Sequence, residues 1–204
     1  MIVGVESNFI LELAFLRAEH DTCTRLLDLA AHGDIRLVLP AFSLGETYES
    51  WVRRSKQGRE LYNRLRTELG ELSCSYPYEE TPAEFAKVTG LLIRSSEEEK
   101  RRLDETLDRI LDIAEVIPIG LGALRSAIVY QQSRALSPQD SIVYASILQH
   151  LAQSAGEVAC FVTKNSKDFD NPDIENDLRT SNCRLLMQFS DAVGYVHSRL
   201  SRSE

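Results

Sequence analysis

The amino-acid sequence predicts an α/β fold, a three-layer sandwich in which helices cover both faces of a central parallel sheet. Short apolar runs rich in β-branched residues alternate along the chain with longer segments of helical periodicity. Because strands separated by helices pair in parallel, this alternation indicates a parallel sheet. With 204 residues, of which 43% are apolar and 26% charged, the chain can form one such domain with a substantial core.

Five short segments are predicted to be the strands of this sheet. The first and fourth, residues 2–5 and Val158–Thr163, are fully apolar, as expected for strands buried on both faces. The second, Ile35–Pro40, is also apolar and is stopped by its proline. The remaining two are EVIPI at residues 115–119 and CRLL at residues 183–186.

Helices are predicted between these strands. They are expected from about Phe9, over Asp21–His32, from Ser43 to about Gly70, over residues 84–115, at Leu121–Ser133, in SPQDSIVYASILQHLAQ from Ser137, near Pro172–Thr180 and at the carboxyl end. The sequence SCSYPYEETP interrupts the pattern, and SSEEEKRRLDETLDRIL predicts a charged outer helix with i,i+4 pairs. We interpret residues 70–115 as a helical elaboration of a single domain spanning residues 1–204.

Composition argues against several classes of protein. No run of about 18 apolar residues occurs, and Glu6 and Glu12 interrupt the first apolar run, so neither a membrane span nor a signal peptide is expected. The four cysteines and four histidines are dispersed, which disfavours a disulfide framework or a zinc site. Free cysteines of this kind are typical of a cytoplasmic protein.

Acidic residues recur where the predicted strands end. Glu6 follows the first strand, Glu46 and Asp140 each lie in the first turn of a predicted helix, and Asp168 follows the fourth strand with Asn165 beside it. The carboxyl ends of parallel strands meet at one edge of a sheet, so we expect these carboxylates to lie together. A divalent cation would relieve their repulsion, and oxygen ligands alone favour Mg²⁺ or Mn²⁺ over zinc.

Each acidic residue also has a purely structural interpretation. Ser43–Glu46 and Ser137–Asp140 both fit a helix N-cap followed three residues later by an acid. Asp168 could be an ordinary loop residue. Glu6 is the hardest to explain in this way, because a carboxylate between a buried strand and a buried helix is costly unless it is compensated. Ser7 is expected to cap the helix that follows.

Several motifs, taken in order, resemble a known family. VESNFILEL, LPAFSLGE, LSPQDSIVYASIL and FVTKNSKDF, followed by NPDI and CRLL, are similar to the PIN domain. This family comprises metal-dependent nucleases, many of which act on RNA, including toxin nucleases of toxin–antitoxin pairs. The resemblance covers most of the chain and is weakest over residues 70–115. It implies a parallel sheet of about five strands with a Mg²⁺ or Mn²⁺ site at the strand ends.

The resemblance also implies roles for individual residues. Glu6 takes the place of the family's first aspartate, and Asn8 is the polar residue after it. Glu46 matches the second acid, Asp140 matches the third, and Thr163 matches the family threonine. Asn165 stands where many members have aspartate, and Asp168 is the acid in members that have asparagine there. Glu6, Asp140 and Asp168 are the implied metal ligands, and Glu46 completes the catalytic set. Glu6 is one methylene longer than aspartate, and Asn165 removes one negative charge.

The resemblance therefore implies a metal-dependent ribonuclease that hydrolyses RNA phosphodiester bonds. The alternative is a catalytically weak PIN-like module that binds RNA or a protein. A phosphatase-like hydrolase is disfavoured, because Glu6 is poorly suited as its nucleophile. By analogy with the family, a homo-oligomer and an antitoxin-like protein partner are further expectations.

A basic segment is the candidate RNA-binding region. Trp51–Arg66 holds six Lys and Arg against one Glu, although the net charge of the protein is −8. Within it, Arg53, Arg54, Lys56 and Arg59 are the candidate phosphate contacts. An ordinary solvated helix face explains the same pattern equally well.

Overall fold

The computed structural model describes residues 1–72, 74–75, 81–154 and 156–201, without the side chains of residues 81–89 and 92. Contacts divide the chain into two compact units. The first unit is Met1–Thr47 with Thr106–Glu204, and the second unit is Tyr48–Glu105. Most of the predicted interruption at residues 73–82 lies outside the described residues.

The first unit contains a five-stranded parallel sheet, as predicted. Its strands are β1 (Ile2–Gly4), β2 (Arg36–Pro40), β3 (Glu115–Ile117), β4 (Ala159–Val162) and β5 (Cys183–Leu186). Their order in the sheet is β3-β2-β1-β4-β5, and every neighbouring pair is parallel. The central strand β1 is fully buried, which explains its uninterrupted apolar sequence.

The helices lie close to their predicted positions. They are α1 (Ser7–Ala14), α2 (His20–Ala31), α3 (Ala41–Leu72), α4 (Thr81–Ile113), α5 (Leu121–Ser133), α6 (Pro138–Gln153), α7 (Ser166–Phe169), α8 (Pro172–Thr180) and α9 (Phe189–Leu200). Helix α3 begins directly after β2, so Ser43 lies inside it and the predicted N-cap at Ser43 is wrong. Helix α7, a single turn, was not predicted.

Helices cover both faces of the sheet and confirm the three-layer α/β fold. On one face α6 and α8 form a core with the strands, in which Tyr144, Phe161 and Phe169 are fully buried. On the other face α1, α2 and α9 pack together, and Phe9 meets Phe189 edge to face at 5.5 Å. Within the described ranges, no helix is long and apolar enough to cross a membrane.

The second unit consists of the adjoining parts of α3 and α4. The Trp51 indole donates a hydrogen bond to the Ser96 carbonyl at 3.4 Å, and Arg54 forms an ion pair with Glu99 at 3.0 Å. The Lys100 ammonium lies 5.5 Å from the centre of the Trp51 ring. Side-chain contacts of this kind hold two helical segments together and account for the charged sequence of α4.

Candidate functional site

The direction in which the chain adds strands reverses at β1, and the candidate residues lie at this reversal. From β1 the chain adds β2 and β3 on one side and then β4 and β5 on the other. The carboxyl ends of strands at such a switch point form the usual ligand crevice of an open α/β sheet. Glu6 follows β1, and Thr163 and Asn165 follow β4. Asp140 lies in the first turn of α6, at the same edge, because α6 leads back to the start of β4.

Three of the predicted residues form one hydrogen-bonded cluster, which we call the acidic cluster: Asp140, Asn165 and Asp168. The Asn165 side-chain amide donates to Asp140 Oδ1 at 3.0 Å and to Asp168 Oδ2 at 2.7 Å. The backbone of Asn165 is fixed by its N–H, which donates to the Thr163 hydroxyl at 3.0 Å. One amide thus links two carboxylates that come from different segments of the chain.

The environment of Asp140 disfavours its charged form. Burial raises the pKa of Asp140, and the nearby Asp168 carboxylate raises it further, while hydrogen bonds from Ser137 and Asn165 partly offset both effects. A cation placed between the two carboxylates would stabilise their charged forms, because its charge would offset both the burial of Asp140 and the repulsion from Asp168.

Asp140 also serves the helix that carries it, as its structural interpretation predicted. Ser137 is the N-cap of α6, and its hydroxyl accepts a hydrogen bond from the Asp140 backbone N–H at 3.1 Å. The same hydroxyl donates to the Asp140 carboxylate. Because the cap fixes Asp140 at the start of a rigid helix, capping and a functional role for its other oxygen are compatible.

Glu6 is itself the N-cap of α1, so the prediction that Ser7 would cap this helix is wrong. Glu6 Oε2 accepts hydrogen bonds from the Asn8 backbone N–H and from the Ser7 hydroxyl, both at 2.9 Å. The Glu6 residue is only 6% exposed, and its second oxygen, Oε1, is buried without a hydrogen-bond partner. Burial raises the pKa of Glu6, and hydrogen bonding from Asn8 opposes that rise.

Glu6 should make the metal-free protein less stable as the pH rises. Its pKa is raised above the ordinary 4.5, so the protonated carboxyl contributes its full stabilisation below that value. This stabilisation is lost as the pH rises through the folded-state pKa. Glu6→Gln has no carboxyl at this position to ionise, so its stability should not fall for this reason. We therefore expect the Tm of the variant in EDTA to fall less than that of the wild type between acidic and neutral pH. Parallel slopes of Tm against pH would contradict the assignment.

Glu46 lies in the second turn of α3 and not in the first as predicted, because the helix begins at Ala41. It is half-buried and follows β2, the neighbour of β1. Within the described residues, no three His, Cys, Asp or Glu side chains are arranged as a ready metal site. The two adjacent carboxylates of Asp140 and Asp168 are nevertheless the type of donor that a hard cation takes, and Glu6 Oε1, beyond the end of β1, is a further buried oxygen without a hydrogen-bond partner.

One supporting contact was missed by the sequence analysis. Lys164, between Thr163 and Asn165, forms ion pairs with Glu12 at 2.9 Å and with Glu19 at 3.3 Å. Glu12 is only 3% exposed although it lies in the apolar run FILELAF. A buried carboxylate requires a partner, so Glu12 was the available signal, but its partner lies 152 residues away in the sequence.

Replacing Lys164 by Met should destabilise the protein by about 3 kcal/mol, since it leaves Glu12 buried without its cation. Chemical denaturation measures this loss. The double variant Glu12→Leu, Lys164→Met should recover most of it, because no unpaired charge is then buried. A double variant as unstable as Lys164→Met alone would show that the ion pair is not the cause.

The candidate RNA-binding residues lie in the second unit, on α3. Arg53, Lys56 and Arg59 are exposed. Arg54 is exposed as well, but its guanidinium makes two contacts with the Glu99 carboxylate, at 3.0 and 3.1 Å. Glu99 therefore offsets part of the positive charge of this segment.

Comparison with family models and with curated proteins finds no match to this chain. A solved structure that aligns with it is that of VapBC2 from Rickettsia felis bound to a DNA fragment from their promoter. The aligned chain is 15% identical, with a TM-score of 0.43, and the alignment covers 91% of this chain and 97% of the other.

Proposed function

We propose that this protein is a Mg²⁺- or Mn²⁺-dependent ribonuclease of the PIN type. The observation that carries the proposal is the acidic cluster, in which Asp140 and Asp168 share the Asn165 amide at the switch point of the sheet. Two adjacent carboxylates at this position, one of which (Asp140) has a pKa raised by burial, are typical of a functional site, whereas a structural acid is usually exposed or paired with a cation.

Asp140, Asp168 and Glu6 are the residues that would hold the metal ion. A bound ion would supply Lewis-acid chemistry: it would polarise a water for attack on phosphorus and offset charge on the leaving oxygen. Asn165 keeps the two aspartates together, Ser137 fixes the orientation of Asp140, and Thr163 fixes the backbone of Asn165. Glu46, which follows β2, is the further acid that would orient the water.

RNA must be attracted by cations elsewhere, because an acidic site repels the phosphate backbone. Arg53, Lys56 and Arg59 on α3 are exposed and remain candidates for these contacts. Arg54 contributes less in this role, because it would have to give up its ion pair with Glu99.

The test is cleavage of a mixture of structured and single-stranded RNA in Mn²⁺, with EDTA in parallel. We expect cleavage only with the metal. Products without 2′,3′-cyclic phosphate ends would indicate attack by water and would distinguish this activity from metal-independent cleavage through the ribose 2′-hydroxyl. Folded protein that leaves all RNA intact in Mn²⁺ would overturn the proposal.

A second candidate function is a catalytically weak PIN-like module that binds RNA or a protein, such as an antitoxin-like partner or a second copy of this chain. It is favoured by two features: the PIN resemblance implies an aspartate where this chain has Asn165, and one oxygen of Glu6 is occupied in capping α1. Such a module would bind RNA without cutting it, and its Tm would not rise when Mn²⁺ is added.

A further inference from the structure

Three arginines surround a groove in the first unit, which we call the arginine groove. It is formed by α8, β5 and α9 and has a volume of about 310 Å³. Arg179, Arg184 and Arg199 line it together with Tyr195 and a single carboxylate, Glu175. The groove thus concentrates positive charge on a protein whose net charge is −8.

Tyr195 organises two of these arginines. The Arg184 guanidinium lies 5.4 Å from the centre of the Tyr195 ring, and that of Arg199 lies 5.1 Å from it. Contacts at this distance are favourable cation–π interactions. They restrict the long arginine side chains before any ligand arrives, which lowers the entropy lost on binding.

Two of these arginines have a positive charge that no ion pair within the described residues neutralises. In the part of the chain that the structure describes, neither Arg179 nor Arg184 forms an ion pair, and Arg179 donates only to the neutral Asn176 side chain at 3.2 Å. Both residues are exposed. Elsewhere in the first unit, Arg36, Arg109 and Arg134 are each paired with a carboxylate. The positive charge of Arg179 and Arg184 is therefore not offset by an ion pair, unlike that of these three arginines.

We propose that the arginine groove binds phosphate groups in a single-stranded segment of RNA. The choice of RNA rests on the proposed ribonuclease function. Guanidinium groups bind phosphate oxygens through two parallel hydrogen bonds, and a groove of this volume accepts part of one strand but not a duplex. The groove lies where β5 begins and the acidic cluster lies where the parallel strands end, so an RNA strand that reaches both must cross the first unit from one edge of the sheet to the other.

The test measures binding in EDTA, where cleavage is not expected. The probe is a fluorescently labelled oligouridylate of about 10 nucleotides, a length within the range that single-strand-binding grooves cover. Each substitution removes hydrogen bonds between charged groups, so Arg179→Gln with Arg184→Gln should weaken binding at least tenfold. The slope of log affinity against log salt should fall by about 1.4, since each contact with a single strand contributes about 0.7.

Four further variants distinguish a specific binding site from a general effect of positive charge. Arg125→Gln removes an exposed arginine on α5 and should change affinity less than twofold. Arg184→Lys keeps the charge but not the paired hydrogen bonds, so it should bind with intermediate affinity. Tyr195→Phe keeps the aromatic ring and should bind like the wild type, whereas Tyr195→Leu should weaken binding several-fold.

Wild-type affinity and salt slope in the double variant would overturn this proposal, and so would an equal loss in Arg125→Gln. The Tm of each variant checks that it is folded. Metal-dependent cleavage without RNA binding at the groove would overturn only the proposal that the groove binds RNA. RNA binding that depends on the groove, without cleavage, would overturn the proposed ribonuclease activity but not the proposed binding site.

Discussion

Asp140→Asn should lower Mn²⁺-dependent RNA cleavage by at least about 100-fold, because a metal ligand supplies several kcal/mol of transition-state stabilisation. The asparagine keeps the shape of the side chain but removes the charge that a hard cation requires. The cap of α6 should survive, since Ser137 accepts its hydrogen bond from the backbone of residue 140. The variant should therefore fold normally and fail in metal binding and chemistry.

Single-turnover cleavage of labelled RNA measures the loss of activity, and the rise in Tm on adding Mn²⁺ measures the loss of metal binding. Asp173→Asn is a matched control. Asp173 also lies in the first turn of a helix that starts with proline, but it is exposed, belongs to α8 and has the Arg134 guanidinium 3.9 Å from its carboxylate. It should cleave and respond to Mn²⁺ as the wild type does. Undiminished cleavage by Asp140→Asn would remove Asp140 from the metal site.

The fold could be predicted from the sequence largely because its signals are local. All five strands are short runs composed mainly of apolar residues, and helices α5 and α8 have the predicted bounds, since glycine or proline marks where each begins. The N-cap predicted at Ser43 was wrong because it also relied on a local signal. The sequence Ser43–Glu46 has the usual pattern of an N-cap, but α3 continues directly from Pro40 at the end of β2, so Ser43 is buried within the helix.

The candidate site was predictable where residue type and strand position sufficed. Asp140, Asn165 and Asp168 were expected at one edge and do form a cluster. The capping role of Glu6 was missed, because aspartate and serine are the usual caps and Ser7 was the obvious choice. The ion pair between Lys164 and Glu12 joins segments that are far apart in the sequence, so it could be identified only in the folded structure.

Asn165→Asp should make the metal-free protein less stable by about 3 kcal/mol and increase its response to Mn²⁺. The change removes the amide that donates to Asp140 at 3.0 Å and to Asp168 at 2.7 Å, and hydrogen bonds to charged groups contribute about 1.5–3 kcal/mol each. It also places a third carboxylate against two others, and the added repulsion raises the pKa of Asp140 further. The loss should therefore be small at acidic pH and grow as the pH rises through the pKa of Asp140.

Chemical denaturation in EDTA and in Mn²⁺ measures both effects, with cleavage recorded in parallel. Asn171→Asp is a matched control, because Asn171 caps α8 and aspartate caps equally well. If Asn165 occupies the position of a metal ligand, its amide stabilises the two carboxylates by donating a hydrogen bond to each, as a bound cation would stabilise them by its charge. Asn165→Asp should then depend on the metal for its stability and cleave RNA faster than the wild type. A loss of stability that Mn²⁺ does not restore would mean that the acidic cluster is a structural hydrogen-bond network, and would favour the binding module over the nuclease.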